Sequence, residues 1–322
     1  MIDTSTDWCA EIGTVERRRL LFPDFEQAYR RISRIHRMAL AGTKPRNLMI
    51  LGPSGAGKSS VLEEYRSYFP AIEEPEQRRI PVLLVEIKSF PTVRSVAEDI
   101  LKAMGVPMAY RGTVNEKTDR VVSSLAKFNV ELLMFDEAQH LLGANKRSFG
   151  SNEETEWLKT LLNLINIPVV LSGLPYAEAL LSTNEQLKRR LEGICRLSPF
   201  SVGDETAASN FAGVVNWFDA EIHMGQAIGL HDGDMLERLF FASDGLIGYL
   251  SKLLIGAMEI RLEHGYKRVE SWMLEQSFME NLWSEGIGPL NPFHKNFVHR
   301  RLNRTGELYA PTDFSALAKP SS

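Results

Sequence analysis

A glycine-rich stretch of eight residues, from Gly52 to Ser59, constrains the fold of this chain more than any other feature. It fits the pattern G-x-x-x-x-G-K-[ST], in which glycines let the backbone curl so that successive amides converge on phosphate oxygens. Such a loop needs a buried strand before it and a helix after it, and the apolar spacing predicts these over 47–51 and 59–69. The alternative is a plain glycine turn between the two elements.

The loop predicts a site for a nucleoside triphosphate. Lys58 is expected to reach the β- and γ-phosphates of ATP, and the Ser59 hydroxyl is expected to ligate Mg²⁺. The helix that begins at Ser59 adds the partial positive charge of its N-terminus. The predicted nucleotide-binding residues are Gly52, Pro53, Ser54, Gly55, Ala56, Gly57, Lys58, Ser59 and Ser60.

Two acidic residues follow a second apolar run. The run 131–135 is predicted to be a buried strand that delivers Asp136 and Glu137 at its carboxyl end. Asp136 is expected to hold the Mg²⁺ shell, and Glu137 to polarise the attacking water as a general base. A solvated strand end is the alternative, but the adjacent glutamate favours a hydrolase over a small-molecule kinase, whose nucleophile is a substrate hydroxyl.

A polar strand end and a basic turn add candidates for catalysis. Ser172 ends the predicted strand 168–172, where a hydroxyl can sense the γ-phosphate or orient water; a strand-end serine without a role is the alternative. Arg189 and Arg190 end a predicted helix. Either could stabilise transition-state charge on the nucleotide of a neighbouring subunit, or both belong to a solvated basic turn.

The order of the predicted elements indicates the fold class. Strands alternate with helices up to about residue 200, and only helices follow, at 204–224, 232–243, 247–263 and 270–284. This order predicts an α/β protein with a parallel five-stranded sheet flanked by helices, followed by a small all-helical lid. The expected division is an N-terminal basic helical segment over 1–45, the phosphate-loop core over 46–200, the lid over 201–285 and a tail over 286–322.

Composition excludes several classes of protein. The 322 residues exceed the roughly 100–200 of one domain. There is no run of about 18 apolar residues and no basic, apolar leader, so we expect neither a membrane span nor a secretory signal. Two cysteines are too few for a disulfide framework or a thiolate zinc site, which predicts a reduced, cytoplasmic location.

Charge is unevenly distributed along the chain. The net charge is −4, but basic residues predominate between 16 and 46 and again from Lys295 to Arg304. Such local clusters suit a polyanion, although a solvated helix face is the alternative.

The assembled motifs resemble those of AAA+ ATPases of the initiator branch, and more closely those of the TniB/TnsC family of transposition ATPases. The resemblance extends over about 17–285. The stretches that carry it are 51–59, 132–141 (Leu-Leu-Met-Phe-Asp-Glu-Ala-Gln-His-Leu), 170–175, 186–191 and 245–254.

The resemblance implies a function in DNA transposition. Members oligomerise on double-stranded DNA with ATP and Mg²⁺, as rings or helical filaments, and link a TniQ-like target-selection protein to a DDE transposase. Hydrolysis then disassembles them. By position, Ser172 is the first sensor, and Arg189 or Arg190 is the finger that acts in trans. Ser172 replaces the more usual sensor asparagine, which implies slow hydrolysis until a partner stimulates it. The lid also lacks the arginine that the family usually carries in its lid helix; Lys252, one turn further along, is the candidate substitute.

Binding of DNA by such an oligomer predicts basic residues on loops of the α/β domain, because repeated phosphate contacts along a filament supply affinity without base readout. The candidates are Lys88, Arg111, Lys117, Lys146 and Arg147. The tail from 291 to 309 is either a docking segment that orders on a partner or an end without function.

Three other functions fit parts of this pattern. A helicase loader would prefer single-stranded DNA, and a nucleotide-switched scaffold would hydrolyse negligible ATP. A membrane-associated secretion ATPase would normally add a further C-terminal segment.

Overall fold

The structure is a computed structural model that describes residues 7–18, 22–73, 78–142, 153–183 and 185–310. Contacts divide the chain into two compact units. One comprises Pro23–Ser198, and the other comprises Met1–Phe22 together with Pro199–Ser322.

The described elements follow the predicted order. The helices are α1 Asp7–Arg17, α2 Pro23–Leu40, α3 Lys58–Ser67, α4 Val93–Ala103, α5 Val114–Lys127, α6 Glu153–Leu164, α7 Leu180–Thr183, α8 Glu185–Arg190, α9 Glu205–Ile222, α10 Gly233–Ser243, α11 Ile247–Glu263 and α12 Ser271–Asn281. The strands are β1 Asn47–Leu51, β2 Ile72–Glu73, β3 Arg78–Arg79, β4 Val82–Glu86, β5 Leu132–Asp136, β6 Val169–Gly173 and β7 Leu191–Arg196. Short 3₁₀ turns cover Ala138–Leu142, Pro175–Ala179 and Gly288–Leu290.

A parallel five-stranded sheet in the order β4-β5-β6-β1-β7 organises the unit Pro23–Ser198. Every residue of β1, β5 and β6 is buried, as expected for strands that are covered on both faces and therefore lack polar alternation. The carboxyl ends of parallel strands meet at one edge, which is where ligands bind in sheets of this kind. The loop after β1, the acidic pair at the end of β5 and Ser172 on β6 consequently share that edge.

Capping residues fix where the helices flanking this sheet begin. Thr92 caps α4 and Thr113 caps α5, each through a reciprocal capping box. The Thr113 cap starts α5 at Val114.

The predicted N-terminal segment 1–45 is divided between the two units. Helix α2 belongs with the sheet because His36 is buried there, with its Nδ1 2.9 Å from the Tyr65 hydroxyl and its Nε2 3.2 Å from a Glu131 carboxylate oxygen. Helix α1 belongs with the C-terminal helices, where Ile12 and Val15 are buried.

The second unit consists of α1 and α9–α12 together with the chain beyond them. The fully buried Asp219 on α9 joins its parts: one carboxylate oxygen accepts hydrogen bonds from the amides of Ile228, Gly229 and Leu230, each at 2.9 Å. Burial by itself would raise the pKa of Asp219, but hydrogen bonds from His223 and from these amides lower it below its ordinary value.

The chain from 286 to 310 packs on this second unit, although its sequence shows no helical or strand period. Asn291 and Leu302 are fully buried. Arg300 pairs with Glu307, and Arg301 donates to Asp244 with Nε 2.6 Å from Oδ1. Two of the four cations in the basic cluster near the C-terminus, Arg300 and Arg301, are therefore paired with carboxylates of their own unit.

Among the described helices, none is by itself long and apolar enough to cross a membrane. The bent pair of α10 and α11 would pass that test on length and composition alone.

Candidate nucleotide site

The loop after β1 has the backbone that an anion cradle requires. Gly55 and Gly57 have φ values of 78° and 91°, in the left-handed region that favours glycine. A Cβ at Gly52 would lie 2.5 Å from the carbonyl oxygen of Leu197, so only glycine fits there. No side chain caps the N-terminus of α3, so its first amides remain available to a phosphate.

Lys58 lies inside this loop. Only 5% of the residue is exposed, and its Nζ donates a hydrogen bond to the carbonyl of Pro53 at 2.9 Å. Burial lowers the pKa of Lys58, while the negative charges of Glu137 and Asp136 act in the opposite direction. The Lys58 ammonium is therefore close enough to Asp136 and Glu137, at the end of β5, to interact with their charges.

Asp136 is held in place by the neighbouring strand. Its Oδ1 accepts hydrogen bonds from the hydroxyl of Ser172 at 2.8 Å and from the amide of Glu137 at 2.9 Å. Asp136 and Ser172 are both buried, Ser172 completely. Both bonds use Oδ1. Among the described residues, no hydrogen bond to Oδ2 accompanies them, so this oxygen is left for a metal ion or its water shell.

Glu137 has an unusual backbone. Its φ of 55° lies in the left-handed region, which is costly for a residue with a side chain. One of its carboxylate oxygens, Oε2, accepts a hydrogen bond from the side-chain amide of Gln139 and lies 3.9 Å from Nε2 of His140. Sequence reasoning missed Gln139, because nothing in its spacing distinguishes it from other polar residues of a turn.

The donor set fits MgATP. Among the described residues, no group of three or more His, Cys, Asp and Glu side chains could hold a metal ion alone. Mg²⁺ that accompanies a nucleotide needs only one or two protein oxygens, because phosphates and waters supply the remaining ligands. The exposed Ser59 in the first turn of α3 and the carboxylate of Asp136 are the two that the loop and the acidic strand end offer.

The two candidate arginine fingers differ in their surroundings. Nη1 of Arg190 donates to the carbonyl of Leu162 at 2.6 Å, within its own unit. The Arg189 side chain is exposed.

One DNA-binding candidate is wrong. Lys117 is completely buried: its Nζ donates to the carbonyls of Ala109 and Arg111, both at 2.9 Å, and lies 3.2 Å from the carboxylate of Glu98. The Lys117 side chain therefore points into the loop that precedes α5. Lys88 and Arg111 are exposed, and Lys146 and Arg147 lie outside the described residues.

One exposed loop precedes α4 and another precedes α5. The sequence did not predict the exposed apolar residues that both loops carry. Phe90 is 83% exposed and has a left-handed backbone, and Tyr110 is 58% exposed. Arg94, in the first turn of α4, donates to the carbonyl of Tyr110 at 3.2 Å. We call residues 88–92 and 107–113 the exposed loop pair.

Comparison with protein families identifies one match. A family model described as Bacterial TniB protein matches residues 12–200, more than half of the 322-residue chain. No protein with a curated description matches.

Three solved structures have a similar fold. Cdc6p of Pyrobaculum aerophilum has a TM-score of 0.59 and 16% identity, covering 84% of this chain and 70% of that chain. The Aeropyrum pernix ORC2 protein, in ADPNP–ADP complexes, has a TM-score of 0.58 and 15% identity, with coverages of 83% and 71%. The A. pernix ORC1 protein in complex with DNA has a TM-score of 0.57 and 19% identity, with coverages of 81% and 66%. These likenesses confirm the predicted AAA+ fold.

Proposed function

The chain belongs to the TniB family, and on that premise we propose that it is an ATP-dependent regulator of DNA transposition. It binds MgATP at the loop after β1, oligomerises on double-stranded target DNA and hydrolyses ATP slowly until a partner stimulates it. The observation that carries the proposal is the joint placement of the phosphate loop, Asp136 and Glu137 at one edge of the sheet, with Ser172 bonded to Asp136.

Each residue of the site has a chemical role in this proposal. The loop amides and Lys58 bind the β- and γ-phosphates, and Ser59 and Asp136 hold Mg²⁺. When bound, Mg²⁺ supplies positive charge at the phosphate oxygens. Glu137 accepts a proton from water as the water oxygen bonds to the γ-phosphorus and the bond to the bridging oxygen breaks, releasing ADP.

We propose that Arg189 or Arg190 is the finger that acts in trans. Both residues end α8: Arg189 is exposed, and Arg190 donates to the carbonyl of Leu162 in its own unit. A guanidinium at this position suits a neighbour's nucleotide, which would make hydrolysis dependent on oligomerisation.

The exposed loop pair is the proposed DNA-binding surface. Lys88 and Arg111 supply positive charge, and Phe90 and Tyr110 add exposed rings beside them. Each subunit contributes only a few phosphate contacts, so affinity comes from repetition along the oligomer. The A. pernix ORC1 protein, which has a similar fold, was solved in complex with DNA, and this supports DNA binding by the chain in general.

The proposed partners are a TniQ-like target-selection protein and a DDE transposase. In this scheme the ATP-bound oligomer marks the target DNA, the transposase engages it, and stimulated hydrolysis releases the subunits. The proposed location is the cytoplasm.

The test combines nucleotide binding with assembly on DNA. Purified chain is incubated with Mg²⁺, a non-hydrolysable ATP analogue and duplex DNA, and oligomers are observed by electron microscopy at several salt concentrations. We expect assemblies that disappear steeply as salt rises and that do not form with Lys58→Ala. Monomers under these conditions, or a Lys58→Ala variant that assembles like the parent, would contradict the proposal.

The choice of nucleic acid separates the alternatives. Preference for single-stranded DNA would favour a helicase loader. A Glu137→Gln variant that assembles and disassembles like the parent would favour a scaffold without hydrolysis, whereas we expect it to remain on DNA.

A further inference from the structure

We infer that Gln139 is a positioning residue for hydrolysis, which holds the carboxylate of Glu137 and ties it to the end of β6. The inference rests on the proposed function, because it needs Glu137 to act as the general base. It concerns a residue of the turn Ala138–Leu142 that lies outside the phosphate loop and the metal ligands.

The orientation of the Gln139 amide follows from its two partners. Gln139 is 4% exposed, and its Oε1 accepts a hydrogen bond from the backbone amide of Leu174 at 3.0 Å. Since a backbone amide can only donate, the oxygen of the side chain must face Leu174. The Nε2 group therefore faces Glu137 and donates to Oε2.

The space around Gln139 is made for this arrangement. A Cβ at Gly173 would lie 2.6 Å from Oε1 of Gln139 and 3.2 Å from its backbone nitrogen. The backbone of Gly173 does not require glycine, because its φ is not in the left-handed region. Glycine at this position leaves the space that the glutamine amide occupies.

The bond from Gln139 also helps to hold the left-handed backbone of Glu137. A left-handed conformation at a residue with a side chain persists only where its surroundings hold it. The Gln139 amide supplies one such restraint. It occupies Oε2 and leaves Oε1 to receive a proton from water.

The end of β6 is thereby connected to the start of the phosphate loop and to both acidic residues. Gly173 accepts a hydrogen bond from the amide of Gly52, at the start of the phosphate loop, at 3.2 Å. Ser172 bonds to Asp136, and Leu174 reaches Glu137 through Gln139. A displacement of this strand end would move the base relative to the loop, so Gln139 makes catalysis depend on the position of β6.

The substitution that isolates this role is Gln139→Glu. It keeps the shape of the side chain and the acceptor for Leu174, but it replaces the donor to Glu137 with a second carboxylate oxygen. With MgATP and duplex DNA we expect kcat to fall at least about tenfold. We expect the Kd for a fluorescent ATP analogue to stay within about threefold of the parent.

A second variant and a control accompany it. Gln139→Met removes both bonds at similar volume and should show the same loss of kcat without loss of affinity. The matched control is Gln276→Glu, which removes an amide–carboxylate bond to Glu280, 2.8 Å long, on the exposed face of α12. The control should hydrolyse ATP at the parental rate.

The outcomes distinguish the inference from its premise. In a Glu137→Gln background, Gln139→Glu should cause no further loss, because it acts through Glu137. A parental kcat in both Gln139 variants, a loss of nucleotide affinity that matches the loss of rate, or an additive effect in the double variant would overturn the inference and leave the ATPase intact. A parent chain that hydrolyses no ATP would remove the proposed function and the inference together.

Discussion

At the scale of single residues, the hydroxyl of Ser172 is directed at a carboxylate. It donates to Oδ1 of Asp136 from a completely buried position. The sequence suggested a sensor of the γ-phosphate or an orienter of water at this strand end. The observed bond adds a further task, which is to orient the proposed metal ligand, because a buried hydroxyl with a charged partner fixes that partner's rotamer.

We predict that Ser172→Ala weakens the response to Mg²⁺. Without the hydroxyl, Asp136 keeps only the amide of Glu137 as a partner on Oδ1, so its carboxylate is less well oriented. The Mg²⁺ concentration for half-maximal ATP hydrolysis should rise about tenfold. Steady-state hydrolysis measured over a Mg²⁺ titration checks this.

The matched control for that prediction is Ser243→Ala. Ser243 is also completely buried, but its hydroxyl donates to the carbonyl of Leu239 within α10, at 2.8 Å. Its Mg²⁺ dependence should equal that of the parent. Equal titration curves for all three proteins would show that Ser172 does not orient Asp136.

At the scale of elements, the loop between α4 and α5 is built by cations that bond to its carbonyls. Arg120 donates to Pro107 at 2.9 Å and to Met108 at 3.2 Å, and Lys117 bonds to the carbonyls of Ala109 and Arg111. These bonds satisfy backbone oxygens in a segment that has no ladder of its own. They hold Tyr110 and Arg111 at the surface, so Lys117 is a structural residue of the loop, whereas Arg111 is a proposed DNA contact.

We predict that Lys117→Met and Arg111→Ala separate stability from DNA binding. Lys117→Met leaves two carbonyls and Glu98 without their shared cation, which should lower the free energy of unfolding by about 2–4 kcal/mol. Arg111→Ala should leave stability nearly unchanged and reduce the salt slope of DNA binding by about one per subunit.

Two measurements check this pair of variants. Denaturant unfolding reports the stability of each, and fluorescence anisotropy of labelled duplex at several salt concentrations reports the slope. A Lys117→Met protein as stable as the parent, or an unchanged slope in Arg111→Ala, would contradict the respective assignment.

At the scale of the whole molecule, the chain forms two compact units, and the C-terminal segment is integral to one of them. Glu307 is 10% exposed at its side chain, and its Oε2 lies 2.8 Å from Nη1 of Arg300. The tyrosine near the end of the described chain, Tyr309, is hydrogen-bonded to the carbonyl of Ala242. The Arg300–Glu307 pair holds the segment together and the Tyr309 bond joins it to α10, although the 3₁₀ turn Gly288–Leu290 is the only helix or strand in the segment as described.

The ion pair predicts how the stability of this unit depends on pH. The guanidinium of Arg300 lowers the pKa of Glu307 from an ordinary value of 4.5 to about 2. Because the folded-state pKa is the lower one, the stabilisation is fully present above pH 4.5 and is lost as the pH falls towards 2. Glu307→Gln should therefore unfold at lower denaturant concentration than the parent at pH 7, and the difference should shrink progressively below pH 4.5.

Denaturant unfolding of parent and variant between pH 7 and pH 3 tests that expectation. The exposed Glu285, which immediately precedes the segment, provides the control variant Glu285→Gln. A gap between Glu307→Gln and the parent that stays constant over this range would contradict it.

Several features were predictable from the sequence because they depend on short spacing. The strand–loop–helix around Gly52 and the acidic pair after β5 are both set by consecutive residues, and the order of strands and helices follows from local apolar patterns. The structure confirms the fold class. The burial of Lys117 was not predictable, because it depends on Glu98, which is 19 positions earlier in the sequence.

The sequence by itself determined that this chain has a phosphate loop, a neighbouring acidic pair and an α/β unit followed by helices. Tertiary structure alone decided that Ser172 bonds to Asp136, that Gln139 joins Glu137 to Leu174, and that α1 belongs with the C-terminal helices. The physical reason is the range of the interactions. Chain connectivity fixes which residues are neighbours within one element, whereas partners that lie far apart in sequence are chosen only when the sheet and the helices pack.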